Sequence, residues 1–470
     1  MLGYGIGYIA QGNTYNFMGS YFVIFLTNSV GMSSAAAGTI TSIALLVEVI
    51  TGMIVGNLSD NCSSSMGKRR PFILAAALSM PVVMVLIMHT IAGSEIGKFV
   101  YYLVLSILFR ISFSTFEIPN NAFGAEIASG YDERTRLRTL SRIFSIIGNT
   151  LGYVMPLWVL EFFSEKQALG WQAIGCIVGA VSFASWFASF KLTKKKAMEI
   201  GRLERTGDSE AGDGGKAKRG IAREILRSYF QLSKLKTMRL LIVYKAAFGC
   251  AFALFNVATI YYLKYCLGLD NRYSSYMYGL TIVIFIIMTP VANKMAISLG
   301  KANQQMIVMA IGAVIGYGVY FLAPASLMGA ALYVAAFSVM QTSFWQLSSS
   351  IFYDIVEVDE FVHNKRREGD IMSLVSVLGT LITAVVIQLF GILFDQSGFT
   401  AAAAAQPESV ISFLSAAYIL VPSICFTVGF IALKIFPINK KTFTSLVTAL
   451  QCRREGKDYE AYLPDIEKLL

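Results

Sequence analysis

Apolar runs of about 18–25 residues recur along the whole 470-residue chain, and this pattern narrows its possible folds more than any other feature. At a rise of 1.5 Å per helical residue, each run is long enough to cross a hydrocarbon layer of ~30 Å. Barrel strands alternate apolar and polar side chains over ~10 residues, whereas these runs are continuously apolar. In lipid the backbone must satisfy its own hydrogen bonds, which leaves the α-helix. Only 14% of the residues are charged and 55% are hydrophobic, against roughly 25% charge in soluble domains. A soluble multidomain enzyme, a disordered chain and a secreted disulfide scaffold are thereby excluded. The six cysteines include no CxxC pair and read as small helix-packing residues. No cleavable signal pattern precedes the first run.

Twelve runs are counted, at about 4–28, 37–58, 71–92, 98–124, 139–162, 170–190, 238–265, 274–296, 304–323, 327–352, 371–395 and 409–434. The expected fold is an all-α membrane protein of twelve transmembrane helices in two six-helix pseudo-repeats. The chain divides into a first bundle (1–190), a linker (191–237), a second bundle (238–434) and a polar tail (435–470). The linker stretch Gly207 to Lys216 is small and polar, as flexible connectors are. The following Ile221–Leu235 is amphipathic and suits the membrane surface. Around Cys452–Lys457 the tail suggests a short helix.

Basic residues set the orientation. Of the 39 lysines and arginines, fourteen lie between Lys191 and Arg239. Lys68–Arg70, Arg134, Arg136, Arg138, Lys294, Lys301 and Lys365–Arg367 fall on the same side, as does the tail. The opposite loops hold only Lys98, Lys166, Lys264 and Arg272, while Arg110, Arg142 and Lys245 lie inside runs. Both termini are expected in the cytoplasm, with the protein multi-pass in the plasma or inner membrane. The formal charge of +10 is then an orientation device, not a nucleic-acid surface.

The halves echo each other. The fourth run leads into Glu126 and then Asp132–Arg136; the tenth leads into Asp354 and then Asp359–Glu360 and Lys365–Glu368. Such repeats are expected of transporters that rock about a central site.

Four stretches carry a family resemblance. They are Tyr4-Gly5-Ile6-Gly7; Gly56-Asn57-Leu58-Ser59-Asp60 followed by Gly67-Lys68-Arg69-Arg70-Pro71; Glu117-Ile118-Pro119 with Arg142 downstream; and Lys365-Arg366-Arg367-Glu368-Gly369. In this order, across nearly the whole chain, the sequence resembles the glycoside–pentoside–hexuronide:cation symporters, the melibiose-carrier family of the major facilitator superfamily. That resemblance implies the major facilitator fold and alternating-access symport of a sugar with H⁺ or Na⁺. Glu48 falls where the family carries its first span-two cation-site acid, and Gly52 where it carries a second. Glu117 falls on the carboxylate that helps bind cation and sugar, and Arg142 on the span-five arginine. A span-one sugar-binding acid becomes Gly12 beside Asn13, and the aromatic after Ile-Pro becomes Asn121. The span-eleven lysine is absent, its region reading Val377-Leu378-Gly379-Thr380.

From the residues themselves, charges inside runs must face a cavity or a partner, because an ion at mid-bilayer costs from ~3 to over 10 kcal/mol. Glu48, Arg110, Glu117 and Arg142 form an electrically balanced set confined to the first half. They read either as a coupling and substrate site or as salt bridges fixing helix packing. Glu48 and Glu117 are the cation-coupling candidates. The substrate candidates are Asn13, Arg110, Glu117, Asn121, Arg142, Asn149 and Trp345. One carboxylate fewer than the family disfavours Na⁺, which wants several oxygens, and favours H⁺. Arg110 beside Glu48 would permit an uncoupled facilitator, and two arginines reaching the cavity would suit a uronide.

Asp60 with Lys68, Arg69 and Arg70, and the segment Asp354–Glu360 with Lys365, Arg366 and Arg367, form the expected cytoplasmic gate. No catalytic triad, metal cluster or P-loop is present in the sequence. Neither enzyme activity nor a cofactor is therefore expected, beyond the coupling ion. The expected partners are a small sugar or glycoside, the cation and the bilayer, with the chain a monomer. A lipid or other non-sugar solute is the alternative cargo, and a non-transporting sensor a more distant reading.

Overall fold

The computed structural model describes residues 1–62, 64, 66–127, 131–198, 221–323, 326–364, 367–401, 403, 405–455 and 457–467. Six long helices occupy the first half: α1 (Leu2–Asn28), α2 (Ser34–Asp60), α3 (Arg70–Ile87), α4 (Glu95–Ile127), α5 (Tyr131–Phe162) and α6 (Gln167–Leu192). After the short α7 (Ile221–Leu232) come α8 (Lys236–Tyr261), α9 (Asn271–Leu299), α10 (Lys301–Leu322), α11 (Leu327–His363) and α12 (Glu368–Gln396). The last span is α13 (Glu408–Ser415) joined by a π-helical turn to α14 (Val421–Ile435). The tail forms α15 (Lys440–Arg454) and a short α16 (Leu463–Ile466).

Eleven helical segments among the described residues are long and apolar enough to cross a membrane. The twelfth span is α1, whose 27 residues reach far enough, but Gln11, Asn13, Thr14 and Asn16 lower its hydropathy. Its polar residues are mostly buried inside the protein, with Asn13 and Thr14 fully inaccessible. The all-helical twelve-span architecture is therefore the one expected from the sequence.

By packing, the chain parts into two units. The first comprises Met1–Gly214, Asn256–Gly279 and Ala384–Phe413; the second comprises Gly215–Phe255, Leu280–Thr383 and Leu414–Leu470. In the first unit α1 packs on α5 and α6, α2 on α4, and α3 on α4 and α6. Small residues permit the tightest approaches. A Cβ added at Gly152 of α5 would sit 2.6 Å from the Asn13 carbonyl of α1, and one at Gly148 would collide with the Ile9 carbonyl.

The loop end at residues 29–33, remote from the basic loops, is tied within the first unit. Asp395 of α12 accepts the backbone N–H groups of Ser34 and Ala35 at 2.7 Å each, capping α2. Below that cap α2 and α12 cross almost backbone to backbone. A Cβ at Gly38 would lie 3.0 Å from the Ile387 carbonyl, one at Gly391 would collide with the Ser34 carbonyl, and Ser42 donates to the Ala384 carbonyl at 2.7 Å. Thr27 meets the Tyr261 hydroxyl at 2.6 Å, and Arg272 pairs with Glu161 at 3.1 Å. Beside these contacts lies a cavity of 330 Å³ lined by Tyr21, Asn28, Glu161, Gln167, Lys264 and Asp270.

In the second unit α10 packs on α11 and α14, and α15 on α11. The linker helix ends at Leu232, short of the expected Leu235, and its polar face bonds to the start of α12. Ser228 donates to Asp370, and Tyr229 meets Ser373 at 2.7 Å. The linker stretch at 207–216 lies outside the described residues. The tail helix begins earlier than the sequence suggested, at Lys440, where Asn439 forms a capping box with Thr442. Arg454 pairs with Glu360, and Arg453 donates to the Phe361 carbonyl at 3.1 Å, so the tail is strapped to α11.

Candidate functional site

Charged and amide side chains of α1, α2 and α4 meet inside the first unit. Arg110 of α4 donates to Glu48 of α2 at 2.8 Å, and the two side chains are 9% and 18% exposed. The pair is mostly removed from solvent yet not sealed. Gln11 of α1 donates to Glu117 at 2.9 Å. Tyr15 lies within electrostatic reach of Glu48, Arg110 and Glu117 and packs on Phe113 with ring centroids 5.9 Å apart. Helical geometry makes this convergence possible: Arg110 and Glu117 are seven residues apart, two turns on one face of α4. Farther along α4, the exposed Asn121 accepts from Tyr8 at 2.8 Å, and Tyr8 meets Tyr4 at 2.8 Å.

The two acids differ in their surroundings. Glu48 is neutralised by Arg110, whereas Glu117 is held by an amide and, among the described residues, has no salt-bridge partner. Of the positions that hold further acids in the resembling family, Gly12 is closely enclosed and Gly52 is tight only against Ile118. A Cβ at Gly12 would stand 2.5 Å from the Asn149 amide oxygen and 2.9 Å from the Ser145 carbonyl. One at Gly52 would stand 3.1 Å from the Ile118 methyl.

Other expected contacts are distributed differently. Asn149 accepts from Asn16 at 2.8 Å in the α1–α5 seam, and Asn13 in the same seam is fully buried. Both lie where α1 packs on α5, Asn149 half-buried and Asn13 against Gly152. Arg142 is part-buried and lies well inside α5, because that helix begins at Tyr131, before the expected 139. Trp345 belongs to the second unit and is 41% exposed.

At the basic loop end of the first unit, Arg69 pairs with Asp60 at 2.5 Å and with Glu126 at 2.9 Å. Burial works against its charge, but these two hydrogen bonds more than offset it and raise its pKa. Glu126 had not been foreseen as a partner. Arg70 departs from the expected latch. It is buried, stacks on Phe190 at 4.2 Å and donates to the Phe190 carbonyl at 2.8 Å, near the end of α6 where carbonyls lack helical partners.

In the second unit Asp359 and Arg367 pair as members of the expected latch between Asp354–Glu360 and Lys365–Arg367, while Asp354 takes another partner. Asp354 binds Lys301 at 2.7 Å. The reason is that α11 continues to His363 rather than ending near 352, leaving Asp354 more than two turns from the helix end. Arg367 pairs with Asp359 at 2.5 Å, where hydrogen bonding raises its pKa. Lys365 and Arg366 lie outside the described residues. Sequence reasoning also passed over Lys245. This lysine lies inside α8 with its Nζ 4.7 Å from the Phe344 ring centroid and 5.3 Å from that of Trp345. The available signal was a basic residue inside an apolar run with no acid one turn away on its own helix.

Comparison with known proteins agrees with this architecture. Residues 3–440 match the family model described as MFS/sugar transport protein. Among curated relatives, the inner membrane symporter YicJ of Escherichia coli K12 is 23% identical over 97% of this chain and 95% of its own length. The glucuronide carrier protein homolog of the same organism is 22% identical over 97% and 96%. A crystal structure of the nucleoside transporter NupG superposes with a TM-score of 0.66 at 11% identity, covering 93% of this chain and 100% of that one. The chain thus belongs to the MFS/sugar transport protein family and is a multi-pass membrane transporter with the major facilitator fold.

Proposed function

We propose that the protein is a proton-coupled symporter of a glycoside or related sugar, working by alternating access. The observation that carries the reading is Glu117, a carboxylate held by Gln11 and, among the described residues, without a salt-bridge partner, beside a Glu48 that Arg110 already neutralises. One such carboxyl suffices to carry a proton. A sodium ion wants several oxygens at once, and glycines at positions 12 and 52 supply no side-chain oxygen. The relatives named as a symporter and a glucuronide carrier homolog support the cargo class. Asn121, Arg142 and Trp345 remain the proposed sugar contacts, with Glu117 shared between sugar and proton.

The test is uptake of labelled glycosides and uronides into proteoliposomes, with pH and Na⁺ gradients imposed separately. Accumulation is expected under an inward proton gradient and not under a sodium gradient alone. No accumulation of any of these sugars under either gradient would overturn the reading. A second reading, an uncoupled facilitator, is favoured by the fixed Arg110 cation beside Glu48; it predicts equilibration without accumulation.

The basic loops lie in the cytoplasm in this proposal, and Arg69 with Asp60 and Glu126 forms one cytoplasmic latch. Asp354 with Lys301, and Asp359 with Arg367, form the corresponding one. Asp60→Asn removes one of the two Arg69 pairs. It should speed labelling of a cysteine placed at Asn121 by a membrane-impermeant thiol reagent added from the cytoplasmic side. An unchanged rate would remove the gating role.

A further inference from the structure

Lys245 is the intramembrane charge that the symport reading leaves unused. Two walls of its surroundings are aromatic. Phe344 and Trp345 of α11 stand edge to face, 5.6 Å apart at 87°, and the ammonium contacts both rings. The third wall is Gly379 of α12, where a Cβ would lie 3.3 Å from the lysine Cε and 3.9 Å from its Nζ. A side chain there would displace the ammonium. Among the described residues no carboxylate pairs with it; its contacts are the two π faces. Those faces compensate only part of the desolvation of a cation, and an ionised side chain in a membrane interior marks a place where an opposite charge arrives. Trp345 is 41% exposed, and a ring of this kind suits the apolar face of a pyranose. Of the two arginines that would also suit a carboxylate, Arg110 is already taken by Glu48.

We propose that Lys245, framed by Phe344 and Trp345, recognises the carboxylate of an anionic sugar and so makes the chain select uronides over neutral glycosides. The inference rests on the glycoside reading above and deepens it. A primary ammonium acts as a compact point charge with three donors, and its hydrogen bonds to a carboxylate are of the stronger, charge-assisted kind.

The test compares 4-nitrophenyl β-D-glucuronide with the matching glucoside in proteoliposomes under one proton gradient. Wild-type protein should take up the glucuronide at least about tenfold faster. In Lys245→Met the ratio of the two rates should fall towards one, and Gly379→Leu should lower it by pushing the ammonium aside. If Lys245→Met does not reconstitute, Lys245→Arg carries the test through the same ratio, since a fork replaces a point charge. A purely structural lysine would slow both sugars together and leave the ratio unchanged, which would overturn the inference. A wild-type protein that moves the two sugars alike would overturn it while the glycoside reading stands. One that moves neither would overturn both.

Discussion

Arg110→Gln is expected to lower the stability of the purified protein by about 3–5 kcal/mol, and Glu48→Gln by a similar amount. Each leaves an uncompensated charge in a mostly buried site. The pair is 2.8 Å apart, with both side chains largely shielded, so neither residual ion can recover its hydration. The double variant Glu48→Gln/Arg110→Gln removes both charges and places two amides side by side. It should regain most of the loss, giving a coupling energy that independent sites do not show. Unfolding midpoints of the four proteins in one detergent measure this. Additive losses in the double variant would mean that the pair does not act as a unit.

Glu117→Gln is expected to lower gradient-driven accumulation far more than exchange. The substitution keeps an acceptor for Gln11, whose 2.9 Å hydrogen bond holds the native side chain, and removes the group that carries charge. Coupling between ion and solute sites is typically worth about 5- to 150-fold. Gradient-driven accumulation should fall by that order, and equilibrium exchange of labelled solute across the same vesicles should fall much less. A Glu117→Gln protein that still concentrates solute under a proton gradient would place the coupling carboxyl elsewhere, with Glu48 the next candidate.

Much of the fold was legible because bilayer helices announce themselves by length and hydropathy. Even α1, too polar for a simple hydropathy criterion, was counted from the apolar residues flanking Gln11–Asn16. The charged cluster was legible for a related reason: Glu48, Arg110 and Glu117 are costly in lipid and had to meet something. Partner choice was less legible. Asp354 has basic residues eleven to thirteen positions onward, yet it pairs with Lys301, because the length of α11 decides which end of the helix each group reaches. Which face of α1 lies against α5, and so where Asn13 and Asn149 sit, is set by small residues such as Gly148 and Gly152 on the other helix. Lys245 was missed because its surroundings come from three helices, α8, α11 and α12, and no local spacing joins residues so far apart in the chain.

The crossing of α2 and α12 at Gly38 and Gly391 has a mechanical consequence. Where two helices touch through main chain, no interlocked side chains need to exchange rotamers when the angle between them changes. Such a joint can swivel while its contact area stays nearly constant, as a pivot bearing does. Asp395 holds the neighbouring helix start at 2.7 Å and Ser42 holds the Ala384 carbonyl at 2.7 Å, so two separate ties oppose sliding at this crossing.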